Sequence, residues 1–192
     1  VRVVGTDKAL DLAAIATLPG ATPAMLKVHQ SWQPPEATYP NGTHVCELEI
    51  DPQTGGTEIV NYVVVDDFGM TLNPIMLQGQ VHGGAAQGIG QALMEEIKFD
   101  SSGQMLTATF MDYALPRAID VPNFHFETRN VRCVTNALGV KGAGEAGAIG
   151  ACPAVMNAMV DALDRAAGIK AIDMPATPLK VFNALKEAGY RP

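Results

Sequence analysis

Between Gly79 and Gln91 the chain places five glycines in thirteen residues, Gly79-Gln80-Val81-His82-Gly83-Gly84-Ala85-Ala86-Gln87-Gly88-Ile89-Gly90-Gln91. They interrupt a stretch in which Leu77, Val81, Ala85, Ile89 and Leu93 recur at every fourth position. That period is helical, and Asn73-Pro74 offers a capping side chain followed by a first-turn proline, so a helix is expected over about 74–92. Each glycine in a helix interior costs about 1 kcal/mol relative to alanine. Something must offset that cost. Gly79/Gly83 and Gly84/Gly88 are each four apart, which clears helix surface for close approach. Two explanations stand side by side: tight packing of another helix, or a cofactor lying on bare backbone with Gln87 and Gln91 supplying amide hydrogen bonds.

The rest of the chain punctuates clearly. Residues 6–18 read as a helix capped by Thr6, with Leu10, Ala13, Ala14 and Leu18 at helical spacing. Residues 19–42 hold five of the 13 prolines and no period, and are expected to run extended over a surface. Thr43–Ile50 and Thr57–Val65 alternate as strands around the turn formers of 51–56, which predicts a hairpin. A second hairpin is expected to turn at Asp100-Ser101-Ser102-Gly103, and Phe124–Cys133 reads as a further strand. Pro153 is expected to start a helix with the stripe Val155, Met156, Met159, Val160 and Leu163, stopped by Gly168. Thr177-Pro178 should start the last helix, with Leu179, Phe182 and Leu185 facing the core. Hairpins and helices come in blocks, not in strict alternation, so the fold class is α+β. The whole of 1–192 is expected to form one domain or a compact pair of lobes.

Composition excludes several functions. With 47% apolar and 17% charged residues the chain can bury a core, and disorder does not describe it. The net charge of −7 and the lack of any long Lys/Arg cluster argue against nucleic acid and anionic membranes as partners. No apolar run is expected to span a membrane. Cys46, Cys133 and Cys152 are widely spaced and form no C-x-x-C, so each is read as a small buried residue in a reducing, cytoplasmic setting. His29, His44, His82 and His125 show no metal-ligand spacing. Val1 stands where an initiator Met would be, so the chain is read as a segment of a longer protein.

A second glycine-rich stretch, Leu138-Gly139-Val140-Lys141-Gly142-Ala143-Gly144-Glu145-Ala146-Gly147, leaves backbone N–H groups free to face a bound group. It spells G-x-G-x-x-G, but the block pattern is wrong for a βαβ unit and no acidic residue follows at a suitable distance, so a Rossmann site is discounted. Glu145 is the one carboxylate in this bare stretch. A general base and a helix-capping glutamate are both open readings of it.

The joint set of segments resembles the molybdenum hydroxylases: xanthine dehydrogenase, aldehyde oxidase and, in closest pattern, the large molybdopterin-binding chain of aerobic carbon monoxide dehydrogenase-type enzymes. The matching stretches are His44 to Val65, Val64-Val65-Asp66-Asp67-Phe68-Gly69, Asn73-Pro74, Gly79 to Leu93, Met111 to Arg117, Gly139 to Gly147 and Met174 to Pro178, in the family's order. The resemblance implies a C-terminal portion of such a subunit, in the second molybdenum-cofactor-binding type of domain. It implies Glu145 as the catalytic base, cofactor contacts through the backbone of Lys141, Gly142, Ala143 and Gly144, and a Gln87-Gly88 pair near the molybdenum end. Asp112 and Arg117 are read as fixing the loop around Pro116. The cofactor implied is molybdenum-molybdopterin in its cytosine dinucleotide form, with the metal held by the pterin dithiolene. FAD and 2Fe-2S centres would sit on partner chains or domains. The implied partners are the remaining lobes of the molybdenum subunit, the FAD-binding and iron–sulfur subunits, and a small-molecule substrate: an aldehyde, an N-heterocycle or carbon monoxide. Family subunits are several times longer, so the chain is expected to be inactive alone. A non-catalytic binding or assembly module with the same fold is the alternative.

Overall fold

The computed structural model describes residues 1–191, which divide into two compact units, Val1–Pro35 and a second beginning at Glu36. In the first unit the helix is shorter than the spacing predicts: α1 covers only Leu12–Ala16, and its cap is Asp11, whose carboxylate accepts from the Ala14 N–H at 2.6 Å. Thr6, the expected cap, instead donates its hydroxyl to the Val3 carbonyl. None of the α1 residues is buried, and a helix without a packed face is too short to hold further turns by propensity alone.

The second unit is built on a three-stranded sheet in the order β1-β2-β3. Strands β1 (Asn41–Ile50) and β2 (Thr57–Asp67) form the expected hairpin, each reaching two residues past one predicted limit. Their ladder pairs His44 with Val64 and Cys46 with Tyr62, then shifts between Glu47 and Leu48, where Val60 is left over as a bulge residue. Strand β3 (His125–Thr128) pairs in parallel with β2 over Val63–Asp66. It is shorter than the predicted 124–133. Beyond Thr128 one more backbone bond, from the Arg129 N–H to the Asp66 carbonyl, is followed by side-chain ties to the end of β2: Asn130 accepts from the Phe68 N–H, and Asp67 accepts from the Val131 N–H. The Asp100 turn forms as expected, with its carboxylate accepting from Ser102 and Gln104, but the hairpin around it is reduced to one bridge, Phe99 to Met105.

Helix α2 (Pro74–Leu93) begins as predicted, with Asn73 accepting from the Met76 N–H. Helix α3 (Ala146–Ala167) starts earlier than Pro153, which lies inside it. The reason is the small-residue run Ala146-Gly147-Ala148, which packs on α2: a side chain at Gly147 would run into the Val81 carbonyl, and one at Gly84 would lie 3.0 Å from the Ala148 N. The buried stripe of α3 is Gly147, Ala151, Val155, Met159 and Leu163, while Met156 and Val160 are only partly buried. Gly168, at φ 71°, stops the helix as expected. Helix α4 (Pro178–Glu187) buries Val181 and Leu185; Leu179, expected in the core, is 67% exposed, because the 181/185 spacing selects the opposite side.

The core gathers Tyr62 and Val64 of β2, Val81, Ala85 and Ile89 of α2, the α3 stripe, and Val181 and Leu185 of α4. A hairpin sheet covered by separately formed helices is the α+β arrangement expected. By length and composition α3 could cross a membrane, contrary to the expectation that no apolar run does, but its buried stripe already has partners within the fold. All three cysteines are free; Cys133 is buried, and Cys46 and Cys152, also expected to be buried, are only partly so.

Candidate active site

Glu145 sits at the N-terminus of α3, at the end of a loop fixed from several directions. Gly139, at φ 73°, takes up the left-handed conformation that turns the loop back, and Asn136 closes it by accepting from the N–H groups of Gly139 and Val140. The Gly139 carbonyl accepts from Met70, and the Lys141 N–H donates to Phe68, so the loop bridges the end of β2. The Lys141 ammonium pairs with Asp67 at 2.6 Å, and both side chains are almost wholly buried. Asp67 also accepts from the N–H groups of Gly69 and Val131. Burial alone would raise its carboxyl, but the Lys141 hydrogen bond, the two backbone donors and the Lys141 charge outweigh burial and hold it down at about 2. Farther along, the Gly142 N–H donates to the Thr38 hydroxyl at 3.0 Å, and the Gln80 amide donates to the Gly144 carbonyl at 2.9 Å.

These ties leave the loop's outer face bare. A Cβ at Gly144 would meet nothing within 4 Å, and one at Gly142 only the Thr38 hydroxyl at 3.8 Å. Glu145 is exposed, and its side chain makes no hydrogen bond to the first turn of α3. The capping alternative therefore has no geometric support. The carboxylate opens on a cleft of about 570 Å³ between the loop and the sheet, lined on the sheet side by Asn41, Gly42, His44 and Asp66 and on the other by Gly142, Gly144, Glu145 and Ile149.

The structure brings Glu145, Gly142 and Gly144 to one cleft; Lys141 stands behind them with its charge already paired. Gln87 and Gly88 do not line this cleft. Gly88 is buried against α3, where a Cβ would lie 2.6 Å from that of Ala151, and helix packing alone accounts for it. The Gln87 side chain is exposed. Gly79 and Gly83 have no atom within 4 Å of where a Cβ would be, so packing inside this chain does not account for them. His82 packs on Phe124 and Phe126, with ring centroids 5.2 and 6.3 Å away, and burial lowers its pKa. No group of three or more His, Cys, Asp or Glu side chains is placed to hold a metal ion among the described residues. Asp112 accepts from the Thr109 hydroxyl and Arg117 pairs with Asp120, so both act within the loop that carries Pro116.

A cluster that the sequence reading passed over closes the sheet side of the cleft. The Tyr62 hydroxyl is 2.9 Å from His44 Nδ1, and His44 Nε2 is 3.6 Å from Asp66 Oδ2. Burial, then the charges of Cys46 and Asp66, push the Tyr62 phenol up. Asp66 Oδ2 is buried and has no hydrogen-bond partner. A larger cleft of about 850 Å³, between the first half of β2 and the 119–125 segment, contains none of the predicted site residues.

Residues 1–122 match the family model described as the molybdopterin cofactor-binding domain. The chain is 35% identical over 168 residues to the carbon monoxide dehydrogenase large chain of Hydrogenophaga pseudoflava, which covers 88% of this chain and 21% of that one. It is 37% identical over 161 residues to the nicotine 6-hydroxylase large subunit of Paenarthrobacter nicotinovorans, covering 84% of this chain and 20% of that subunit. Among solved structures, the Cu,Mo-CO dehydrogenase superposes with a TM-score of 0.77 at 33% identity, over 82% of this chain and 20% of that one. Quinoline 2-oxidoreductase from Pseudomonas putida 86 superposes with a TM-score of 0.73 at 38% identity, over 80% of this chain and 19% of that one. The chain thus spans about a fifth of the length of these relatives.

Proposed function

The chain belongs to the molybdopterin cofactor-binding domain family, and from that membership we propose that it is the C-terminal part of the cofactor-binding subunit of a molybdenum-dependent hydroxylase, with Glu145 as the catalytic base. The observation that carries the reading is the setting of Glu145: an unengaged carboxylate on a rigidly held loop whose own backbone is bare toward a cleft. A glutamate at a helix start that makes no capping bond is free to move a proton.

The residues present fit the implied group. Ala143 and Gly144 would offer backbone N–H groups to it, Lys141 and Gly142, whose own N–H groups donate to Phe68 and Thr38, would line it without donating, and the open Gly79/Gly83 face of α2 leaves room that no side chain of this chain fills. Gln87, one residue before the packing glycine Gly88, would present its exposed amide near the metal end. The bound cofactor, molybdenum-molybdopterin in its cytosine dinucleotide form, would supply the two-electron acceptor for oxidation with water-derived oxygen. Glu145 would take the proton from the attacking oxygen, and the ties to Asp67, Thr38 and Gln80 would hold it in place while it does so. The substrate would be an aldehyde, an N-heterocycle or carbon monoxide. Electrons would leave through 2Fe-2S and FAD centres on partner subunits or domains.

Glu145→Gln in the complete enzyme tests this. It keeps size and most hydrogen bonds but removes the base. Turnover is expected to fall by at least ~10³, roughly 4 kcal/mol of barrier, with molybdenum content and Tm little changed. A capping role would give the reverse, a stability loss of about 1 kcal/mol with turnover near normal. Near-normal turnover in a fully metallated variant would end the assignment.

A further inference from the structure

His44 lies opposite Val64 in the β1–β2 ladder, so Tyr62 and Asp66 are its diagonal neighbours on the same face of the sheet. The bulge at Val60 creates that neighbourhood. Without it the register would slip by one residue, and His44 would lie between Asn61 and Val65 instead. The side chains of His44 and Asp66 are only 6% and 4% exposed. A lone pair on Nε2 directed at the buried Asp66 carboxylate would be repelled, so Nε2 carries the imidazole hydrogen. In the neutral ring Nδ1 is then an acceptor, to which the Tyr62 hydroxyl donates. The cluster therefore has a direction, Tyr62 to His44 to Asp66, which holds the ring in one orientation.

The ring has a second contact. A Cβ placed on Gly150 of α3 would lie 2.5 Å from His44 Cε1 and Nδ1, so the helix backbone rests directly on the imidazole. Gly150 follows Ile149, whose N–H closes the first turn of α3 by donating to the Glu145 carbonyl at 3.0 Å. We infer that His44 is a positioning residue for Glu145: oriented by Tyr62 and Asp66, its ring is the seat on which the first turn of α3 rests, and it fixes where the carboxylate stands in the cleft. This rests on the reading of Glu145 as the base.

The test uses the complete, molybdenum-loaded enzyme with His44→Ala, His44→Gln, Gly150→Ala and Glu145→Gln. Three quantities are measured: turnover per bound molybdenum, KM, and hydrogen exchange of the 145–152 segment by mass spectrometry. A misplacement of about 1 Å can cost roughly 10²-fold in rate, so His44→Ala is expected to lower kcat per molybdenum by at least about tenfold with KM little changed. Its 145–152 amides should exchange faster. His44→Gln can accept from Tyr62 through its oxygen and donate to Asp66 through its nitrogen, and should recover most of both losses. Gly150→Ala should follow His44→Ala although alanine is the better helix former. Normal exchange and normal turnover per molybdenum in His44→Ala would overturn the inference. So would a loss confined to yield or metal content, or a Gln variant no better than Ala. If Glu145→Gln stays near normal, the base assignment and this inference fall together; if it is inactive while His44→Ala is normal, only the inference falls.

Discussion

Asp67 draws donors from three separate parts of the chain, Gly69, Val131 and Lys141, and the Glu145 loop hangs from the last of them. Its carboxyl titrates at about 2 in the fold, whereas an unfolded aspartate titrates near ~3.9. The sign follows from that depression. The stabilisation is complete above about pH 4 and is lost as the pH falls toward about 2, where both states become protonated. Asp67→Asn is expected to remove this acid-dependent component. At pH 7 it should also cost about 3–5 kcal/mol, because Lys141 is left buried without its partner. Urea unfolding of both proteins at pH 7, 4 and 2.5 checks this through the difference between them, since Asp51, Asp100, Asp120 and Glu96 are lowered as well and appear in both curves. Parallel decline with acid would refute it. Asp67 stood in the sequence as one letter of a matching stretch, with no role assigned, because its partners lie up to 74 residues away. The His44 cluster was hidden for a related reason. The turn at 51–56 announces the hairpin, but nothing local announces a bulge at Val60, and without it the register is out by one.

Helix α2 uses its glycines on two sides, and the two sides make opposite predictions. Gly83→Ala meets no neighbour and should stabilise the chain by up to about 1 kcal/mol. Gly88→Ala would meet the Ala151 side chain at 2.6 Å and the Ala148 carbonyl at 2.9 Å; forcing α3 aside should cost about 1–3 kcal/mol. Thermal melts of the two variants decide between these signs. In the complete enzyme Gly83→Ala should instead lower molybdenum retention, and full metal content there would mean that this face is not a cofactor contact. Helices with strong periodicity and a cap, such as α2, were legible almost to the residue. The start of α3 was not, because Pro153 looks like a first-turn residue and Ala146-Gly147-Ala148 shows no apolar period; their burial exists only because α2 lies against them. Leu179 shows the converse, an apolar residue whose periodicity matches a helix but whose side of that helix has no neighbour to bury it.

At the scale of the molecule, the chain exposes large apolar side chains, among them Leu72, Ile75 and Met76 around the start of α2 and Ile149 in the first turn of α3. Apolar side chains left open in this way offer surface to further protein. Under the proposed function it is covered by the remaining lobes of the subunit, whose residues also complete the cofactor site. Production of the chain with those lobes and with the flavin and iron–sulfur partners should yield protein that carries molybdenum and releases CMP on acid hydrolysis. The chain purified by itself should show no flavin or iron–sulfur absorption. Molybdenum missing from the assembled protein would favour the non-catalytic alternative.

The anchors of the Glu145 loop are remote in the chain: Gln80 is 64 residues from Gly144, Asp67 is 74 from Lys141, and Thr38 is 104 from Gly142. Closing contacts of that span costs entropy that only an already collapsed chain can meet. The β1–β2 hairpin, closed by a short turn, can form early, whereas the α2–α3 contacts, such as Gly84 with Ala148, span 64 residues like the Gln80–Gly144 tie, so the turn that bears Glu145 is expected to form with that helix pair and after the hairpin. Its assembly is expected late in folding and its loss early in unfolding. Under the proposed function, a population can keep its hairpin and still have lost the arrangement that sets Glu145 on its cleft.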